Sequence, residues 1–148
     1  MVSAITQQRR LEREFIAFLL NQPVSHFVTL VFNEPRALSL AHRKLRDWHA
    51  RIDRALLGPK WAKRERSDRT LFFAFPEHIE TNIHYHLLVR PALTRTQFAF
   101  EDIAVTAWSD LVPAGDVTVF PITQKRGVVH YVTKDIFRNF EHAVFSST

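Results

Sequence analysis

The sequence contains no cysteine, which excludes disulfides, thiolate metal sites and cysteine nucleophiles. It has no run of about 18 apolar residues, so no membrane-spanning helix is expected. The first residues lack the apolar core of a signal peptide, and the expectation is a cytoplasmic protein. There is no internal repeat, no low-complexity segment, no linker and no glycine-rich loop of the kind that cradles nucleotide phosphates. Tyrosine is scarce: Tyr85 and Tyr131 are the only two. What is present is a chain of 148 residues, 46% hydrophobic, which suits one globular domain with a sizeable core. The net charge of +5 points to an anionic partner, most often nucleic acid, although many basic domains are merely soluble.

Periodicity divides the chain into elements. Residues 3–20 read as a helix with Leu11, Phe15, Phe18 and Leu19 inward, ended by Asn21 and Pro23. Residues 24–32 read as a buried strand. Asn33 is positioned to cap a second helix with Pro35 in its first turn. Leu38, Ala41, Leu45, Trp48, Ile52 and Ala55 form its core face, and Gly58-Pro59 stops it. Residues 60–69 have no apolar period and read as a basic loop. Its charges are either solvated or contact phosphates, with Trp61 able to stack on a base. A strand over 71–75 turns through 76–82 into the next strand. Thr94 to Gln97 resembles a capping box, and the helix that follows to about Leu111 directs Phe100, Ala104, Ala107, Trp108 and Leu111 inward. A short strand covers 117–122, a basic turn Gln124–Gly127, and a last helix about 128–140, leaving a short polar tail.

The densest chemistry lies at residues 83–89, Ile-His-Tyr-His-Leu-Leu-Val. Strand alternation places His84 and His86 on one face and Tyr85 on the other. Two imidazoles so placed can hold one metal ion, or can be ordinary half-buried histidines bonded to neighbours. In the hairpin, a register that sets Phe75 near His84 opposes Phe73 and His86. Odd-numbered residues of the first strand then share the histidine face. Glu77 lies on that face at the hairpin mouth and is the first choice for an oxygen ligand. Glu80 and His78 are the alternatives, because a one-residue slip exchanges faces.

On the last helix Tyr131 and Lys134 stand three residues apart and share a face. Such a pair alone also fits an ordinary half-exposed helix. If the chemistry uses a tyrosine, Tyr131 is the candidate, since Tyr85 is turned away. A phenol ionises near pH 10 and needs a cation or a polarised target to react at neutral pH.

Taken together, His84-Tyr85-His86 on a strand and Tyr131-x-x-Lys134 on a later helix resemble the HUH endonuclease superfamily. The similarity is to its single-tyrosine rolling-circle replication initiators, with residues 27–32 matching the first motif as an apolar strand. The resemblance spans about residues 24–140 and implies one catalytic domain over 1–148, with an N-terminal helix over 1–22. The element order implies an α+β fold: a ferredoxin-like βαββαβ antiparallel sheet with helices on one face, plus an N-terminal helix and a C-terminal helix carrying the tyrosine. The implied reaction nicks and joins single-stranded DNA, at an origin or hairpin, through a 5′-phosphotyrosine on Tyr131 assisted by Lys134. Mg²⁺ or Mn²⁺ would be held by His84, His86 and Glu77, and Lys60, Trp61, Lys63, Arg64, Arg66, Lys125 and Arg126 would bind DNA. No nucleotide cofactor is needed, and the cell would be a bacterium or a phage-infected host. Unlike large initiators, this chain has no helicase domain.

Three alternatives stand beside this expectation. One is a single-tyrosine transposase of the same superfamily. Another is a non-catalytic basic nucleic-acid-binding domain on the same sheet. A histidine-triad or cupin-like enzyme would also use His-x-His, but Leu88 stands where the triad wants a histidine, and no glutamate follows His86 before Glu101.

Overall fold

Alternating apolar side chains assemble a five-stranded sheet with a hydrophobic layer on each face. The computed structural model describes residues 3–94, 99–134 and 139–146. Its elements are α1 (Ala4–Leu20), β1 (His26–Val31), α2 (Leu38–Leu57), β2 (Leu71–Glu77), β3 (His84–Arg90), α3 (Phe100–Leu111), β4 (Asp116–Pro121), α4 (Lys125–Thr133) and β5 (Val144–Phe145). The fold is α+β. The strands pair antiparallel in the order β4-β1-β3-β2-β5. No helix among the described residues is long and apolar enough to cross a membrane.

One face of the sheet presents Val28, Leu30, Phe72, Ala74, Tyr85, Leu87 and Val89. Against it pack Ala41, Leu45, Trp48 and Ile52 of α2 and Ala104 and Trp108 of α3, all fully buried. The other face presents Phe73, Phe75 and Leu88 to Leu19 of α1 and to Val129 and Val132 of α4. Helices thus cover both faces, with α2 and α3 on one and α1 and α4 on the other.

Several local expectations change. Asn33 does not cap a helix. It adopts φ 60°, and its amide nitrogen donates to the Ala114 carbonyl at 3.0 Å and to Asp116 Oδ2 at 2.7 Å. Asparagine tolerates this left-handed backbone better than most residues. Helix α2 starts at Leu38 after Ala37, which makes no side-chain cap bond, and it ends at Gly58, whose φ of 89° favours glycine. Leu56 and Asp53 are buried on α2, whereas Ala55 is exposed. In α1, capped by Ser3 Oγ on the Thr6 N–H, Leu11 is 59% exposed and Phe18 44% exposed. The apolar stripe of α1 is covered only in the second half of the helix, around Phe15, Ile16, Leu19 and Leu20.

The β2–β3 register differs from expectation by two residues. Phe75 faces His86 and Glu77 faces His84, because β2 continues through Pro76 to Glu77. A two-residue shift keeps every side chain on its face. Thr94 Oγ1 donates to the Leu56 carbonyl at 2.7 Å, and α3 begins later, after Ala99. The rest of the expected capping box, residues 95–97, lies outside the described residues. Lys125 and Arg126 belong to the first turn of α4 rather than to a preceding turn. The expected continuation of that helix over 135–138 also lies outside the described residues. The tail is not merely polar: Val144 and Phe145 pair with Ala74 and Phe73 as β5.

Candidate active site

His86 sits at the centre of the sheet, in β3 between β1 and β2. It is buried, at 5% exposure. Each side of its ring has a neighbour. Its Nε2 lies 2.9 Å from Glu77 Oε2, and its Nδ1 lies 3.1 Å from Thr29 Oγ1. Phe27 stacks on the ring at 5.8 Å between centroids, nearly parallel. Tyr131 meets it edge-on at 5.5 Å.

Strand register explains the gathering. Directly opposed residues of antiparallel strands share a face, and Thr29, His86 and Phe75 stand opposite one another across β1, β3 and β2. Val31, His84 and Glu77 form the next row. Glu77 therefore reaches His86 diagonally, within the span of a glutamate side chain.

His84 is half-buried, with its ring 6.5 Å from that of His86 and 5.1 Å from that of His78. Its pKa lies below the ordinary histidine value, chiefly because burial penalises the charged ring. The positive potential of His78 and His86 adds to this, and Glu77 opposes it. His84 is thus kept neutral near pH 7, with a lone pair to offer a cation. His78 was one of the alternative ligands. It bends out of the strand with φ 53° and lines a cleft of about 650 Å³ together with Glu77, Glu80, Lys134, Asn139, Glu141 and His142.

Tyr131 is 46% exposed on α4. Its ring lies edge-on to Phe27 at 5.9 Å, and the Lys134 ammonium stands 4.4 Å from the ring centroid. Lys134 caps α4 and also lines the cleft. Tyr85 is different in every respect. It is fully buried in the opposite layer, bonded through its hydroxyl to His42 Nδ1, and held well above the ordinary phenol pKa by burial.

Two imidazoles and a carboxylate are donors of the type that bind Mn²⁺ or Zn²⁺ and, through oxygen, Mg²⁺. As the side chains stand, no group of three or more His, Cys, Asp or Glu among the described residues is gathered as a ligand set. In the His86–Glu77 pair an imidazole nitrogen and a carboxylate oxygen lie 2.9 Å apart, and both are groups that a divalent cation accepts as ligands, so the donor chemistry fits.

The expected DNA-binding residues fall elsewhere. Lys60, Lys63 and Arg64 are exposed in a segment containing two short 3₁₀ turns, Trp61–Lys63 and Arg66–Asp68. Arg64 pairs with Asp68 at 3.6 Å. Trp61 is half-buried, with the Arg69 guanidinium over its ring at 5.6 Å, so one stacking face is already taken. The segment is tied to the far end of β3, where Arg90 donates to the Ser67 and Arg69 carbonyls. From Arg90 to His84 is six residues of strand, roughly 20 Å. Lys125 donates to the Gln22 carbonyl, and Arg126 is exposed. Both lie at the start of α4, about 7 to 9 Å along the axis from Tyr131.

Thr29, Phe27, His142 and Asn139 escaped the sequence reading as members of this region. Parity alone marks Phe27 and Thr29 as face-mates of each other, but only the β1–β3 register brings them to His86.

No protein-family model matches this chain, and no curated protein or solved structure matches it at a significant level.

Proposed function

We propose that this domain nicks and rejoins single-stranded DNA with Tyr131 as the nucleophile, in the manner of a single-tyrosine rolling-circle initiator. The observation that carries the proposal is the convergence on His86: the Glu77 carboxylate bonds one ring nitrogen, and the ring of the half-exposed Tyr131 lies 5.5 Å away. The run from β1 to β4, with inner strand order β4-β1-β3-β2, supports a ferredoxin-like plan, and the position of Tyr131 on α4 suits this chemistry. The net charge of +5 suits a polyanionic strand in the cytoplasm.

His84, His86 and Glu77 would hold a divalent cation, Mg²⁺ or Mn²⁺, which when bound polarises a phosphate oxygen. Tyr131 Oη would give up its proton to water and attack the scissile phosphorus. The P–O3′ bond breaks, the 3′-oxygen takes up a proton to leave as a hydroxyl, and the 5′-phosphate remains on Tyr131. Attack by a 3′-hydroxyl on that phosphotyrosine reverses the step, so the bond is conserved without a nucleotide cofactor. Lys134, whose ammonium stands over the phenol ring, would attract the phosphate.

A second reading, a non-catalytic nucleic-acid binder, draws on Phe120. It is 58% exposed on the edge strand β4, opposite Phe27, where a base could stack. One experiment separates the two. The protein is incubated with a pool of single-stranded DNA and Mn²⁺, digested, and examined by mass spectrometry. The enzyme leaves a nucleotide on Tyr131 and none in Tyr131→Phe. A binder leaves no adduct, and a nucleotide on another residue would overturn the assignment.

A further inference from the structure

We propose that Thr29 is a positioning residue that lets the His86 ring move its N–H from Nε2 to Nδ1 when a divalent cation enters; this rests on the metal-dependent reading above. With Glu77 ionised, the 2.9 Å contact to His86 Nε2 requires a proton on that nitrogen. Nδ1 of a neutral ring is then an acceptor, and the Thr29 hydroxyl at 3.1 Å must donate to it. Once a cation takes the Nε2 lone pair, the single N–H of the neutral ring must sit on Nδ1. The same hydroxyl, 3.1 Å away, must now accept.

A hydroxyl serves both states by rotating about its Cβ–Oγ bond, because it carries one donor and two acceptor lone pairs. A carboxylate at that position would accept only, and a backbone N–H would donate only. Ring rotation is not an available substitute. Phe27 lies nearly parallel on one side of the imidazole, Tyr131 stands edge-on to it, and the residue is buried. Thr29 itself is held in the middle of β1, opposite His86 on one side and Thr118 on the other. The ring keeps one proton throughout, so the exchange is balanced, and only the nitrogen that bears it changes.

The test uses the full chain with ¹⁵N-labelled histidine and Zn²⁺ as a diamagnetic probe. Ring-nitrogen NMR gives the tautomer of His86, and calorimetry gives the Zn²⁺ affinity, for the wild type, Thr29→Val and Thr29→Ser. The wild type and Thr29→Ser should carry the proton on Nε2 without zinc and on Nδ1 with it. Thr29→Val, whose shape and strand preference match threonine, should bind Zn²⁺ on the order of 10- to 100-fold more weakly, and serine should restore most of that loss. Zn²⁺ affinity unchanged in Thr29→Val overturns this proposal alone. A wild type whose N–H stays on Nε2 in the zinc complex also overturns it, whether or not the valine variant folds. A wild type that binds no Zn²⁺ at His86 overturns the metal-dependent reading and this proposal together.

Discussion

His86 and Tyr131 are both aromatic groups on the same sheet face, yet the site asks opposite things of them. His86 is buried and bonded at both ring nitrogens, which suits a ligand that must not move. Tyr131 is half-exposed with a cation against its ring, which suits a group that must meet a strand from solvent. Replacing His84 and His86 together by alanine should therefore abolish metal-dependent cleavage while circular dichroism stays native; cleavage that persists in the double variant in the presence of EDTA would remove the metal from the mechanism. Lys134→Ala should slow cleavage by on the order of 100- to 1,000-fold, as for loss of one electrostatic stabiliser, yet leave the adduct detectable. Tyr85→Phe should keep cleavage, because its hydroxyl faces His42 in the opposite layer.

At the scale of elements, the junction of α3, β1 and β4 is closely packed around Gly115. A Cβ on Gly115 would stand 2.3 Å from the Val31 carbonyl oxygen and 2.9 Å from Val112 Cγ1. That carbonyl also accepts from Trp108 Nε1 at 3.2 Å. Relief requires β1 or α3 to shift, so Gly115→Ala should destabilise by about 2 kcal/mol or more. A thermal melt should show a Tm lower by several degrees, and an unchanged Tm would mean that the junction yields freely. The segment 60–69 is a separate case. Lys60 and Lys63 are exposed in the segment tied through Ser67 and Arg69 to the far end of β3, within reach of a strand bound as proposed only if it runs roughly 20 Å from His84. Neutralising both should flatten the salt dependence of single-stranded DNA binding by about 0.7 log units per lost contact. An unaltered slope would assign these charges to solvent.

For the whole molecule, burial of histidines ties stability to pH. His42 and His49 both have pKa values below 6.5, with burial as the largest cause in each. The Arg46 and His142 charges add to it at His42, whereas Asp53 opposes it at His49. The unfolded chain binds these protons more readily than the folded one. Their contribution is therefore complete above pH 6.5 and is lost as pH falls from there toward the folded values. The urea midpoint should be lower at pH 5.5 than at pH 7.5. An equal or higher midpoint at pH 5.5 would show that protonation of these rings is not linked to unfolding.

Periodicities of two and 3.6 residues are local properties, and whatever depends on them was legible in the chain. The core faces of α2, Ala55 excepted, and of α3 followed from apolar spacing, as did the separation of Tyr85 from His84 and His86, because a side chain's face is set by its own backbone. The position of Glu77 on the histidine face survived a two-residue error in register for the same reason: parity, not register, decides the face. Capping at Asn33, the start of α4 and the strand β5 were not legible. Asn33 is held by Ala114, Asp116 and Asn82, and β5 exists only because β2 offers an edge for Val144 and Phe145. Thr29 and Phe27 reached His86 through the pairing of β1 with β3, across 57 residues of chain in the case of Thr29. Long-range pairing is selected by the packing of two hydrophobic layers at once, and no window of the sequence contains both.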